Sequence, residues 1–458
     1  MHLSKHTFST FSKDNERMYL INYLSGVMDV FNKTETLEFN ERLKNSNWQD
    51  YEYSKTLLEK KYFFENQEAE NKYIRQKYLE FLDENERTPT QLIFSTTYAC
   101  NLSCVYCFQS DYKEKEPLLT ENITNKFFNY IEEKFKRETL RPYITLFGGE
   151  PLLAGKKYFN QLIYFLQKAR DLNYEIAIVT NGYTLEEYVP VFKKEKFKIK
   201  EIQVTLDGGK IIHDKRRPAK GGHSTFNKIT AGIDTALKNG YRINLRSVID
   251  KENIKSLIDL AGFCDKKGWL GYSSAFFETT LGRNYELHSC QYTNKLFDRL
   301  SMYKEYVNLA AHNPILKKFH QPSFHGMKYL YENDELPMPI FDACPAAKKE
   351  WAFDTKGNIY GCTASVGVEN FKLGNFLDNE EYKEKIEIWQ KRDVLSIENC
   401  KNCAVSLSCG AGCGVLAYKE NNDILTNNCR PVQDLVTLGV EYYNIENLKI
   451  EKSEVCCC

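Results

Sequence analysis

The stretch YACNLSCVYC, residues 98–107, sets three cysteines, Cys100, Cys104 and Cys107, at the spacing C-x3-C-x2-C. Tetrahedral zinc and a cubane iron–sulfur cluster each want four ligands. No fourth Cys or His follows within the range of a zinc site. Three thiolates can hold three irons of a 4Fe–4S cubane and leave the fourth iron open to an external ligand. The position of this loop in the chain decides how the fold is read.

Working outward from it, short apolar runs alternate with amphipathic stretches between residues 90 and 280. The runs QLIFSTT, YITLFGG, EIAIVTN, EIQVTLD, RINLRSV and GYSSAFFET read as buried parallel strands. Helices are expected between them, as from Thr120 to Arg137 and from Phe226 to Asn239, with Gly240 at a C-cap. Six such units give an α/β fold, an open barrel or a doubly wound sheet. In either, ligands gather at the carboxyl ends of the strands. Cys100 follows the first run, Gly148-Gly149-Glu150-Pro151 the second, Asn181-Gly182 the third and Asp207-Gly208-Gly209 the fourth. Two glycines let a backbone approach a ligand closely, and the Glu150 carboxylate suits an ammonium group.

Composition sets the outer bounds. With 458 residues, about three domains are expected at ~150 residues each. Sixty-two acidic residues balance sixty-two basic ones, so no long-range field points to nucleic acid or an anionic membrane. The 30 tyrosines and 28 phenylalanines read as core and surface aromatics. No apolar run reaches the ~18 residues of a membrane span, and the N-terminus lacks the apolar segment of a signal peptide. A cytoplasmic chain is therefore expected, in which fifteen cysteines are metal ligands or redox groups before they are disulfides. Cys264 and Cys290 stand apart; both are read as small buried hydrophobes.

The C-x3-C-x-aromatic-C signature, with Tyr106 as the aromatic, resembles that of the radical S-adenosylmethionine (SAM) enzymes. GGEP at 148–151 is similar to that family's methionine-amine motif, and TNG at 180–182 and LDG at 206–208 match in place. The resemblance implies a partial (β/α)6 barrel over residues 91–290. It implies that SAM chelates the open iron and is cleaved by one electron to a 5′-deoxyadenosyl radical. The expected SAM contacts are Tyr106, Gly148, Gly149, Glu150, Pro151, Asn181 and Asp207, with Thr205 and Arg246 as candidates for ribose and carboxylate.

A second cysteine field follows. Cys344 and Cys362 frame Gly357 as C-x12-G-x4-C, and Cys400, Cys403, Cys409 and Cys413 give C-x2-C-x5-C-x3-C before Cys429. Seven cysteines exceed one tetrahedral metal. The series resembles the SPASM auxiliary-cluster domain of radical SAM enzymes that modify peptides and proteins, here residues 344–458 after a helical bridge at 291–343. By that resemblance Cys344, Cys362 and Cys413 bind one auxiliary 4Fe–4S cluster, and Cys400, Cys403, Cys409 and Cys429 close another, making three clusters in all. No eighth cysteine lies between Cys344 and Cys362, so the first of these has an open iron unless Cys290 or the tail Cys456-Cys457-Cys458 supplies a ligand. A substrate thiolate on that iron points to thioether formation.

Residues 1–90 form a small α+β unit. MYLINYLSGVMDVFN alternates around Ser25-Gly26 as a hairpin does; helices are expected at 50–60 and 67–83, and LLEKKYFF as a helix end and wing. Maturases of ribosomally made peptides are similar in carrying a winged-helix-like domain here, which pairs a leader peptide onto an edge strand. The expected partners are a precursor peptide that contains cysteine and a flavodoxin- or ferredoxin-type electron donor, in an anaerobic or facultative bacterium. Carbon–carbon crosslinking, epimerisation and formylglycine formation in a sulfatase are rival activities, and a non-catalytic zinc scaffold that binds peptides is the rival from another class. The basic loop HDKRRPAKGG, 213–222, is read as facing an acidic leader or simply solvated.

Overall fold

The Ser25-Gly26 turn joins two antiparallel strands in the computed structural model, which describes residues 1–48, 50–107, 117–284 and 293–445. Its chain divides into two units. One comprises Met1–Asn85, Gln321–Cys344 and Lys391–Cys458, the other Glu86–His320 and Pro345–Gln390.

In the first unit, β1 (His2–Leu3) precedes the antiparallel sheet β2 (Thr7–Phe11), β3 (Arg17–Asn22) and β4 (Val27–Asn32). The hairpin is fixed locally: Asn22 Oδ1 accepts the Leu24 and Ser25 N–H groups, and Gly26 takes φ +76°. Asn32 then caps a helix, Lys33–Asn45, that the sequence reading missed; its capping box with Glu35 was the available signal. The expected helices appear as Ser54–Glu59 and Gln67–Glu86. The segment read as a helix end and wing ends its helix at Glu59. It then forms the short strand β5 (Phe63–Phe64), antiparallel to β1. Phe31, Phe39, Tyr62 and Phe63 fill the core beneath.

The small α+β unit expected over residues 1–90 falls, as residues 1–85, in one compact unit with residues 321–344 and 391–458. Within this unit Tyr23 Oη donates to the His325 carbonyl at 2.5 Å, Lys5 Nζ to the Lys401 carbonyl at 2.8 Å, and Tyr78 Oη to Asp393 at 3.0 Å. These bonds join residues 1–85 to residues 321–344 and 391–458.

The second unit holds one ten-stranded sheet. Strands β6 (Gln91–Ser95), β7 (Tyr143–Phe147), β8 (Ile176–Thr180), β9 (Ile199–Thr205), β10 (Ile243–Ile249) and β11 (Phe277–Arg283) lie parallel in sequence order. The six expected runs are these strands, the last displaced to begin at Phe277 because Trp269–Gly271 forms a 3-10 turn. Thr120 caps the helix Glu121–Lys134, and Gly240, at φ +79°, follows the helix Phe226–Lys238. Phe94, Phe127, Phe165 and Phe376 pack between sheet and helices. Cys264 is buried in the helix Leu257–Lys266, as expected.

The sheet does not stop at six strands. β12 (Glu350–Asp354) pairs in parallel with β6, and β13 (Asn358–Tyr360), β14 (Gly374–Asn375) and β15 (Glu380–Glu381) extend it antiparallel. Residues 345–390 therefore belong with the barrel strands, and the expected boundaries at 290 and 343 do not coincide with the two units. The reason is the free edge of β6, whose backbone groups β12 satisfies. No helix among the described residues is long and apolar enough to cross a membrane.

Candidate active site

Four strand ends meet at a cavity of about 450 Å³. The chain leaving β6 carries Thr97 to Cys100, and the chain leaving β7 lies against it: Gly149 N–H donates to Thr97 O at 2.7 Å and Glu150 N–H to Ala99 O at 2.9 Å. A Cβ at Gly148 would collide with Thr97 O, and one at Gly149 with Ala99 O. The glycines let backbone meet backbone, and both also line the cavity.

Cys100, Cys104 and Cys107 line the cavity. Burial pushes the Cys104 thiol up to about 11, against the pull of the Arg217 guanidinium. Cys104 lies within electrostatic reach of both other thiols. The loop is pinned on its other side by residues 216–220: Ser103 N–H donates to Pro218 O, Val105 N–H to Arg216 O, and Lys220 N–H to Asn101 O. The segment 213–222, read as facing an acidic leader or solvated, packs against the cysteine loop as a structural wall. His213, Arg216 and Arg217 are buried in it.

Tyr106 Oη donates to Asp207 Oδ2 at 2.5 Å and accepts from Arg217 Nη1 at 2.6 Å. Asp207 Oδ1 accepts the Val248 N–H, and Arg216 stacks 5.0 Å from the Tyr106 ring centroid while it grips Asp250. Asp207 and Pro151, read as cofactor contacts, are buried and are not among the residues lining the cavity. Asp207 orients Tyr106 from behind.

Glu150 is fully buried, which raises its carboxyl above the usual range against the hydrogen bonds that hold it down. Thr180 Oγ1 and Leu152 N–H donate to Oε1, and Asn181 N–H to Oε2 at 2.7 Å. Thr205 and Arg246 line the cavity from neighbouring strands, in register. Gly282 on β11 leaves room for the Arg246 guanidinium. Among the described residues Arg217 Nε has no hydrogen-bond partner, although the residue is only 8% exposed. An unpartnered guanidinium nitrogen, a buried carboxylate and three thiols at one cavity fit an amino-acid head group held beside a cluster.

Sequence reasoning missed Arg217, and with it Gln91, Thr145, Gln203 and Glu350 on the same wall. For the four strand residues the signal was a polar residue at alternate positions in otherwise apolar strands.

In the other unit, Cys400 lies within electrostatic reach of Cys403, Cys409 and Cys429. Burial pushes Cys400 up to about 11, and the Arg392 charge opposes it. Cys344 and Cys413 belong to the same unit, whereas Cys362 belongs to the barrel unit. Cys290 and Cys456 to Cys458 lie outside the described residues. Among the described residues no three His, Cys, Asp or Glu side chains converge on a single ion.

Residues 94–264 match the family model of the Radical SAM superfamily. The chain is 24% identical over 356 residues to the Cysteine-type anaerobic sulfatase-maturating enzyme of Clostridium novyi (strain NT), covering 71% of this chain and 87% of that enzyme. Over 172 residues it is 30% identical to the Serine-type anaerobic sulfatase-maturating enzyme of Bacteroides thetaiotaomicron, covering 36% of this chain and 40% of that one. The solved structure of anSMEcpe with bound AdoMet has a TM-score of 0.59 at 20% identity, over 80% of this chain and 97% of that chain. Streptococcus suis SuiB has a TM-score of 0.50 at 15% identity, over 94% and 99%. At these identities the structures share a fold.

Proposed function

From the premise that the chain is a radical SAM enzyme, we propose that it modifies a peptide or protein substrate, and that the modification is a cysteine thioether crosslink. The observation that carries the reading is the convergence of Cys100, Cys104, Cys107, Glu150 and Arg217 on one cavity. Together the bound cluster and SAM supply a reductively generated radical that abstracts a substrate hydrogen.

The chain's own residues bind and orient. The three thiolates would hold iron. Glu150 Oε2, with one backbone donor, would accept the SAM ammonium, Arg217 and Arg246 would bind its carboxylate, and Thr205 would offer a hydroxyl to the ribose. Asn181 Nδ2 donates to Asn101 Oδ1 at 2.7 Å and steadies the cysteine loop.

The substrate class is supported by the sulfatase-maturating relatives, whose names describe action on a protein. β4, with a sheet neighbour on one side alone, offers an edge on which a leader peptide could add a strand. A second reading, oxidation of a sulfatase cysteine, is favoured by the identity to the cysteine-type enzymes. Four proximal thiols at Cys400, Cys403, Cys409 and Cys429 support an auxiliary cluster, and a flavodoxin- or ferredoxin-type protein supplies electrons.

Anaerobic reconstitution with SAM and dithionite tests the reading. Wild-type protein should release 5′-deoxyadenosine, and Cys104→Ala should not. With a cysteine-containing precursor peptide, loss of two hydrogens and of the free thiol marks a thioether. Aldehyde formation on a sulfatase peptide would favour the second reading. Absence of 5′-deoxyadenosine from iron-loaded wild type would overturn both.

A further inference from the structure

Arg392, in the cysteine-rich segment, is 0% exposed. Its donors are spent on backbone carbonyls. Nε reaches Ile424 O at 3.0 Å, Nη1 Gly412 O at 3.3 Å, and Nη2 both Ala411 O at 2.7 Å and Thr426 O at 3.1 Å. Asp342 is a long ion-pair partner at 3.7 Å, and the same Asp342 Oδ1 accepts the Cys344 N–H at 3.0 Å. One side chain therefore ties together the segments that carry Cys344, Cys409, Cys413 and Cys429.

The segment it grips is strained. Gly410, Ala411 and Gly412 all take left-handed φ values, +58°, +61° and +72°. For alanine this conformation costs about 1 kcal/mol. The reversal lies between Cys409 and Cys413, and the Arg392 bonds hold the Ala411 and Gly412 carbonyls in place. Gly410 packs on Ala343, the neighbour of Cys344, and its carbonyl accepts the Ala343 N–H at 3.0 Å. A guanidinium stays protonated when buried, and Asp342, at 3.7 Å, is one compensating anion. A thiolate-ligated cluster would be a second, and Cys400 lies within reach of the Arg392 charge.

We propose that Arg392 is a positioning residue for the auxiliary iron–sulfur site of Cys400, Cys403, Cys409 and Cys429, fixing the 409–413 loop and raising the site's reduction potential. It rests on the reading of those four cysteines as cluster ligands. A nearby fixed cation stabilises the reduced, more negative cluster, so its removal lowers the potential.

The test compares anaerobically reconstituted wild type, Arg392→Met, Arg392→Lys and Cys400→Ala for iron per chain, iron retention against a chelator, and midpoint potentials from EPR-monitored titration. Arg392→Met is expected to lose auxiliary iron to chelator about tenfold more readily, and the surviving cluster to titrate at lower potential. Arg392→Lys keeps the charge but brings three donors to four carbonyls; it is expected to keep the midpoint and lose iron faster than wild type. Circular dichroism reports folding, and if Arg392→Met does not fold, Arg392→Lys decides. Wild-type retention and midpoint in the folded Arg392 variants, with iron lost in Cys400→Ala, would overturn the inference alone. Wild-type iron in Cys400→Ala would overturn the cluster reading and the inference with it.

Discussion

Glu150 shows how much a single residue settles. The carboxylate is buried, bonded to Thr180 and to two backbone N–H groups, and kept at the cavity wall. Glu150→Gln removes the charge that pairs with an ammonium while the size is retained. SAM affinity, measured by anaerobic equilibrium binding to the reconstituted protein, should fall by about ten- to a hundredfold, the worth of one charged hydrogen bond. Gly149 is constrained by backbone instead: Gly149→Ala would drive a methyl group into Ala99 O and Tyr98 O. It should cost about 1–3 kcal/mol of stability and lower iron content, read by thermal unfolding and iron analysis. Glu150 was legible because its motif is contiguous. Arg217 was not, since its place beside Cys104 depends on a loop more than a hundred residues away in sequence.

Among the elements, the turn from β9 into its helices carries a pH signature. His213 lies on the helix Lys210–Arg216, its Nδ1 accepting the Asp207 N–H and its Nε2 bonded to Thr225 Oγ1. Burial, with the Arg217 charge adding, lowers its pKa to about 4. As pH falls, the unfolded chain takes up the proton first, near 6.5. The stability contributed by neutral His213 is thus complete above about pH 6.5 and is lost as pH falls toward 4. His213→Asn should flatten the fall in Tm across that window, whatever its Tm at pH 7; an unchanged slope would count against the assignment. The slope will not vanish, because buried His6, lowered to about 3 by desolvation, acts with the same sign. Beside it Asp214 accepts the Thr225 and Phe226 N–H groups and bonds Lys210 and Ser224. Those bonds outweigh the burial that would raise it and hold its carboxyl well below the usual range. Asp214→Asn should therefore destabilise by about 1 kcal/mol at pH 7 and by less below pH 4.

For the whole molecule, the first unit is assembled from three separate lengths of chain. Phe8 and Tyr23 stack within it, and Tyr23 reaches His325, whose ring bonds Ser408. Removal of residues 391–458 should raise hydrogen exchange across β2 and β3 while β6 to β9 stay protected. Equal protection in both would show that residues 1–85 fold without that segment.

The sequence by itself determined what lies close along the chain: the thiol spacing, the glycine pair before Glu150, the Asn22 hairpin and the alternation of buried strands with helices. Those features follow from local geometry and from period, which a short window contains. Only the tertiary structure decided that β12 would extend the barrel sheet, that residues 1–85 would share one compact unit with the cysteine-rich segment, and that Arg217 and Arg392 would be buried. Each of these depends on a hydrogen-bonding partner or packing surface far off in sequence, and a charged residue read locally carries no sign of the carbonyls or thiols that will enclose it.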